Sequence, residues 1–365
     1  MQITIIGLPY SGKTTIFNAA TRGSAQVAQY TSSSRPNIGV AKVPDGRLGT
    51  LTEIYQPTRT TQAEITYVDL PAAPEGLGKT RGVSGVYLNQ LQTADALVIV
   101  ARGFEDPSVP DGGDGVDAFR DIETMLYELT FADLEILDRR IERIDQNSKG
   151  ARSGDKDTLI RERALLSVLK KGLESGIPIR NHRLSADEHR RVKEFQFLTA
   201  KPVIVVVNAG EDQVDEVDEI QERLDSEIAE GDVLTAVLIG SLEMELAQMS
   251  AEDEAEFRES LAVGESGLDR MVRLSYQALD QITFFTGGPK DVRAWTITNG
   301  DSASRAAGAI HSDMERGFIR AEVVAYDDLK KWGSEAESKR QGVLRQEGKD
   351  YVVNDGDVVH VLFNV

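Results

Sequence analysis

The chain has 365 residues, no cysteine, four histidines without ligand spacing (His182, His189, His311, His360) and a formal net charge of −19. Disulfides, thiolate metal sites and cysteine nucleophiles are therefore excluded, and indiscriminate nucleic-acid binding is disfavoured. No apolar run approaches the eighteen residues of a membrane span and no basic-then-apolar leader precedes the first strand, so a cytoplasmic protein that does not engage a membrane is expected.

The length suits two or three domains, each with its own core. Residues 1–6 alternate like a strand, and the residues from Thr15 onward open a helix. Between them, Gly7-Leu-Pro-Tyr-Ser-Gly-Lys-Thr14 fits G-x-x-x-x-G-K-[ST]. In that turn backbone N–H groups wrap phosphates, the lysine reaches the outer phosphates and the hydroxyl ligates Mg²⁺. The helix behind it offers its positive end to the same anion. Pro9, Tyr10, Ser11, Gly12, Lys13, Thr14 and Thr15 are thus the candidate phosphate-binding residues.

Further along, Ile65–Leu70, Ala96–Ala101, Pro202–Asn208 and Val233–Ile239 have the apolar, β-branched character of buried strands and together describe an α/β doubly wound parallel sheet. Residues 121–193 break the pattern. Met125, Leu126, Leu129, Leu134, Leu137, Ile141 and Ile144 repeat at helical spacing, residues 148–154 are polar, and a second helix is expected around Leu159–Leu173. This reads as an inserted antiparallel helical hairpin, against the alternative of two ordinary helices lying on the sheet.

From Gln281 the texture changes again. Short strands at Ile282–Phe285 and Val292–Ile297, a helix from Ser304 to Met314, and two final strands around an Asp-Gly turn in 351–363 describe a small α+β domain. The expected domains are 1–119 with 200–280, an insert at 120–199, and 281–365.

Two strand ends complete a nucleotide site. Asp69 ends its strand where P-loop proteins place the acid that holds Mg²⁺ through water. Asn208-Ala-Gly-Glu211 stands where GTP-binding proteins carry N-K-x-D. The missing lysine at Ala209 and the longer carboxylate at Glu211 impair the fit to guanine, while Gly240, Ser241 and Leu242 lie within reach of an adenine.

These residues, with "SRPNIGVAKVPDGRL", "FEDP", "NAGE", "KDVRAWTI" and "EGKDYVVNDGDVVHVLFNV" in order, make the chain resemble the Obg-like ATPase (YchF) family over essentially its whole length. The resemblance implies a Ras-like P-loop domain interrupted by a helical coiled coil and followed by a β-grasp TGS domain. It also implies slow hydrolysis of ATP in preference to GTP with Mg²⁺, association with ribosomes, and a monomer. Ser33 best matches the switch residue that joins Thr14 and Asp69 around the metal. Departures from the family are Ala72 for the glycine of D-x-x-G, Tyr10 for a cation-binding asparagine, Asp111 about where many bacterial relatives carry a histidine, and Ala73 where Ras-like enzymes place a water-orienting glutamine.

Two other readings stand beside the ATPase. One is a GTPase with altered base contacts; the other is a nucleotide-sensing ribosome or RNA adaptor with little hydrolysis. Lys149, Arg152, Lys156, Arg180, Arg183, Arg190, Arg191 and Lys193 face either RNA or solvent. Residues 209–270, with twenty acidic and three basic side chains, read as a solvated helix face, and His311 as structural.

Overall fold

A computed structural model describes residues 1–23, 36–71, 83, 85–108, 115–148, 153–228, 233–260 and 266–364. Ser33, Ala72, Ala73, Asp111, Lys149 and Arg152 lie outside the described residues. By its contacts the chain divides into two compact units, Met1–Gly39 with Thr66–Met271, and Val40–Ile65 with Val272–Val365.

Twelve strands are described: β1 Gln2–Ile6, β2 Asn37–Lys42, β3 Arg59–Thr61, β4 Glu64–Asp69, β5 Ala96–Arg102, β6 Val203–Asn208, β7 Val233–Leu238, β8 Gln281–Thr286, β9 Asp291–Thr298, β10 Phe318–Ala325, β11 Arg345–Glu347 and β12 Asp357–Phe363. The first sheet runs β2-β4-β1-β5-β6-β7. The pairs β1–β4, β1–β5, β5–β6 and β6–β7 are parallel. Every residue of β5 and β6 is buried, as their unbroken apolar sequences require of strands covered on both faces. β1 lies between β4 and β5, with β2 and β4 on one side and the later strands on the other, so the strand order reverses at β1. In such sheets the crevice at the carboxyl ends of the strands is where ligands bind.

The first unit also holds helices Ala118–Asn147 and Ser153–Glu174. Asp117 caps the first by accepting from the N–H groups of Phe119 and Arg120. Leu137, Ile144, Leu165, Leu166, Leu169 and Leu173 form an apolar cluster distinct from the one beneath the sheet, which explains the helical spacing in the sequence. Asp133 ties the long helix to the turn Leu198–Ala200 that feeds β6. Its carboxylate accepts from Leu198 N at 2.9 Å, Thr199 N at 2.7 Å and Thr199 Oγ1 at 2.7 Å.

The second unit is built on the sheet β11-β10-β12-β8-β9-β3. Helix Ala303–Ile310 buries Ala303 and Ala306 among Phe284, Ile297, Ala321, Val323 and Val359. Two expectations about secondary structure are corrected here. Helix 304–314 is two helices, because His311 is extended (φ −164°) between Ala303–Ile310 and Ser312–Arg316. The first of the two terminal strands is a single bridge between Val352 and Ser302, so β12 alone is a strand there. Residues 40–65, expected in the nucleotide domain, are held in the second unit: β3 pairs with β9, Arg47 bonds Asp355 at 2.6 Å, and the Tyr55 hydroxyl donates to Glu335 at 2.5 Å. The boundary likewise falls at Val272, earlier than residue 281, because Tyr276 shares a hydrogen bond with Thr296.

Candidate nucleotide site

The turn after β1 is shaped by steric need. A Cβ on Gly7 would lie 2.2 Å from the Val100 carbonyl oxygen, and one on Gly12 would lie 2.1 Å from Asn208 Nδ2. Gly12 also has φ +83°, a conformation that disfavours any side chain. Tyr10 takes φ +66° despite its ring, a strained conformation for a bulky residue. Helix Lys13–Thr21 follows at once, with Ile16 N donating to Gly12 O at 3.0 Å.

Lys13 is buried, and its Nζ donates to Gly7 O at 3.1 Å and Leu8 O at 3.0 Å. Burial pulls its pKa down to about 8, against the opposing pull of Asp69. Beside it, Thr14 Oγ1 donates to Asp69 Oδ2 at 2.8 Å. The same oxygen accepts from Asn37 Nδ2 at 3.0 Å, whereas Oδ1 is buried with no partner. Burial raises the Asp69 pKa, with the Asn37 and Thr14 bonds and Lys13 acting against it.

This corner fits a magnesium ion that accompanies phosphates. A hydroxyl and a carboxylate are hard oxygen donors, one carboxylate oxygen is unspent, and Mg²⁺ typically takes one or two protein oxygens and completes its shell with phosphate and water. Among the described residues no cluster of three or more His, Asp or Glu could hold a metal unaided.

Asn208, at the end of β6, is buried, and both ends of its amide are committed: Nδ2 donates to Ser11 O at 3.2 Å and Oδ1 accepts from Gly240 N at 2.9 Å. It therefore ties the turn to the start of helix Gly240–Leu246. Its place in the sequence predicts an amide that selects a base, and in the structure the same amide positions two loops. Ala209 is buried, Leu242 is buried, Ser241 is partly so, and Pro9 and Glu211 are exposed. Thr15, inside the helix, is partly buried.

Sequence reasoning missed two residues. Asn37 bonds Asp69 from a strand not read as one. Phe104, from "FEDP", brings a ring carbon to 3.7 Å of where a Gly12 Cβ would stand and its own Cβ to 3.4 Å of the equivalent point on Gly210. Arg102 holds it by donating to Phe104 O at 3.1 Å, with its guanidinium 4.9 Å from the ring centre. An aromatic residue two positions past a fully buried strand was the available signal.

Elsewhere, Lys156, Arg183, Arg190 and Lys193 are exposed, Arg191 and Arg180 are partly buried, and Arg190 pairs with Asp187 at 3.2 Å. Helix Val217–Ile228 buries only Leu224 and exposes its acids, as a solvated face does. His311 Nδ1 accepts from Asp313 N at 3.1 Å, a local cap. No helix among the described residues is long and apolar enough to cross a membrane.

A family model described as 50S ribosome-binding GTPase matches residues 2–136, and the YchF GTPase C-terminal model, described as a protein of unknown function, matches 281–364. The protein called ribosome-binding ATPase YchF of Bacillus subtilis (strain 168) is 40% identical over 99% of this chain and 98% of its own length. This chain belongs to the YchF family. The YchF of Escherichia coli O157:H7, under the same name, is 37% identical over 99% of this chain and 98% of its own. The solved structure of the Schizosaccharomyces pombe YchF GTPase superposes with a TM-score of 0.85 at 28% identity, covering 99% of this chain and 97% of that one. The YchF likeness thus spans both units, and its P-loop α/β sheet, inserted long helices and C-terminal sheet domain are the architecture found here.

Proposed function

We propose that this chain is a nucleotide-dependent switch that binds and slowly hydrolyses ATP in preference to GTP, with Mg²⁺, and associates with ribosomes in the cytoplasm as a monomer. One observation carries the reading: Lys13, the Thr14–Asp69 pair and the Asn208-tied turn converge at the carboxyl edge of the parallel sheet, where a phosphate chain would meet them. Lys13 and the N–H groups of the turn stabilise charge on the transferring phosphoryl group. Thr14 and Asp69 hold the magnesium ion, which neutralises charge on the phosphates when bound. Ser33 is assigned to the same ion by the family resemblance alone. Slow hydrolysis is expected because Ala73 stands where Ras-like enzymes place a water-orienting glutamine.

The relatives named ribosome-binding ATPases support the ribosomal part, and the two long helices with their own core form the separate inserted domain we assign to 120–199. For the base, Glu211 is exposed and one methylene longer than the aspartate that suits guanine, and Phe104 offers an apolar face beside Gly12 and Gly210. Ala209 lies in the apolar layer, so a lysine introduced there would disturb packing, and Glu211→Asp is the cleaner probe.

Titrating ATP and GTP against the parent and Glu211→Asp tests the reading. ATP should bind the parent more tightly, and the variant should move toward GTP by about 1–3 kcal/mol if two charge-assisted bonds are regained. Tighter GTP binding by the parent would favour the GTPase reading, in keeping with the name GTPase that the fission-yeast relative carries. Single-turnover assays that show no phosphate release would favour the adaptor.

A further inference from the structure

Arg293, on β9, stands opposite Thr286 across the β8–β9 pair and beside Thr61 across the β3–β9 pair. Its guanidinium lies 4.0 Å from the centre of the Trp295 ring, two residues further along the same strand. Trp295 Nε1 in turn donates to Thr286 Oγ1 at 2.9 Å, so Thr286, Arg293 and Trp295 share one face of the sheet. All three are partly exposed.

Stacking on the indole accounts for where the guanidinium sits. It does not account for its hydrogen bonds. Nε is buried with no acceptor, and among the described residues no carboxylate pairs with the group. Asp291 is the one acid between Gln281 and Thr298, and it is already engaged: its Oδ1 accepts from Arg59 Nε at 3.3 Å and from Thr61 Oγ1 at 3.2 Å. Lys290, exposed in the turn between β8 and β9, adds a second cation to the same end of the hairpin. The Thr286 hydroxyl accepts from the indole and keeps its own proton to give. An oriented guanidinium, a hydroxyl donor and a flexible ammonium thus meet where the local acid is spent on other partners. That set of donors matches the oxygens of a phosphate, which a guanidinium binds two at a time.

We propose that Arg293, Thr286 and Lys290 form a phosphate-binding site in the second unit. Arg293 donates to two phosphate oxygens, Thr286 donates to one, and Lys290 adds attraction from the turn. Trp295 keeps the guanidinium flat and aimed. The site uses none of the residues of the nucleotide turn and does not rest on that reading. Its ligand is a free phosphate or the phosphodiester of single-stranded RNA, which present the same oxygens and differ in what is attached to them.

The test uses the full chain and its tryptophan emission, since Trp295 lies under the guanidinium that the anion would engage. Inorganic phosphate and an oligouridine RNA are titrated separately at constant ionic strength. A saturable change is expected with at least one of them, and Arg293→Gln should weaken it about tenfold or more. Lys290→Ala should weaken it about two- to threefold and, for the RNA, lower the slope of log affinity against log salt by about 0.7–1. RNA that phosphate displaces identifies the phosphodiester as the ligand; a response to phosphate alone identifies the free anion. No saturable change with either probe, or an Arg293→Gln affinity within about twofold of the parent, would overturn the proposal. Should Arg293→Gln melt well below the parent, the exposed Lys290→Ala decides, and an unchanged affinity in it overturns the site. The emission change should persist in Lys13→Ala; its loss there would place the anion at the nucleotide turn and overturn the proposal as well.

Discussion

Asn208 and Ser11 lie 197 positions apart, yet the amide nitrogen of the first donates to the carbonyl of the second at 3.2 Å in a buried setting. Since the other end of the same amide accepts from Gly240 N, one side chain fixes the phosphate-binding turn against the loop after β7. Asn208→Asp should be worse than Asn208→Ala for nucleotide binding. The carboxylate keeps the Gly240 bond but faces the Ser11 carbonyl with a second acceptor in a buried position. Binding should weaken by at least about tenfold in the aspartate variant, equivalent to about 1.4 kcal/mol. Equal affinities for parent and variant by calorimetry would contradict the tie.

Lys13 gives a pH signature. Its pKa in the free protein is about 8, below the ordinary 10.5, so between those values the unfolded chain holds more protons than the folded one. Stability of the nucleotide-free protein should therefore rise with pH across that window, by an amount on the order of 3 kcal/mol. Nucleotide binding should do the opposite. Phosphates restore the ammonium, so binding takes up a proton near pH 8.5–9 and the affinity falls by up to about tenfold per pH unit above 8. Calorimetry in two buffers of different ionisation enthalpy measures the uptake, and Lys13→Ala should abolish it.

How far these groups were legible beforehand depends on how local their spacing is. Gly7, Gly12, Lys13 and Thr14 sit within eight residues, and the glycines are dictated by clashes the turn would suffer otherwise, so the motif shows in the string itself. Asp69 was readable as the end of an apolar strand. Asn37 was not: it meets Asp69 across 32 residues, and nothing in the string tells which strand comes beside which. The partners of the Asn208 amide were hidden for the same reason, because both are backbone groups from distant loops. β10 escaped notice because Arg320 and Glu322 interrupt its apolar run, while β12 was evident from Val358-Val-His-Val-Leu.

Arg258 is the centre of a buried ion network. It reaches Glu243 at 2.6 Å and Glu254 at 3.1 Å, with side-chain exposures of 11%, 8% and 11%, and Glu254 in turn meets Arg22 at 2.8 Å. Arg258→Ala leaves two carboxylates poorly compensated, and a loss of about 3–5 kcal/mol is expected, read as a lower urea midpoint. Arg258→Met combined with Glu243→Gln should recover part of it, since both partners of the most buried pair are then neutral. A single variant as stable as the parent would show that solvent reaches this cluster.

Asp133 supplies a second pH effect with the opposite sense to that of Lys13. Burial raises its pKa to about 6 although three donors surround it. A carboxyl with a raised folded value contributes stability that is complete below about 3.8 and is lost as pH rises through about 6. Asp133→Asn should flatten the fall of melting temperature between pH 4 and 6. At neutral pH it should cost about 1–3 kcal/mol, because an amide nitrogen must face a backbone N–H. An unaltered slope would locate the titration elsewhere.

Val40–Ile65 belongs with the C-terminal half of the chain, although it lies between Asn37 and Asp69 in sequence. The chain therefore passes from the first unit to the second and back before it has finished building the first sheet. A stop codon after residue 280 would not yield a trimmed nucleotide domain. It would strand β3 without β9, leave Arg47 with Asp45 but without Asp355, and leave Tyr55 without Glu335, exposing an unpaired edge in the fragment. A fragment intended to isolate nucleotide chemistry needs the stretch between β2 and β4 excised and bridged by a short linker, and any swap of C-terminal halves between relatives must carry this interior segment with it.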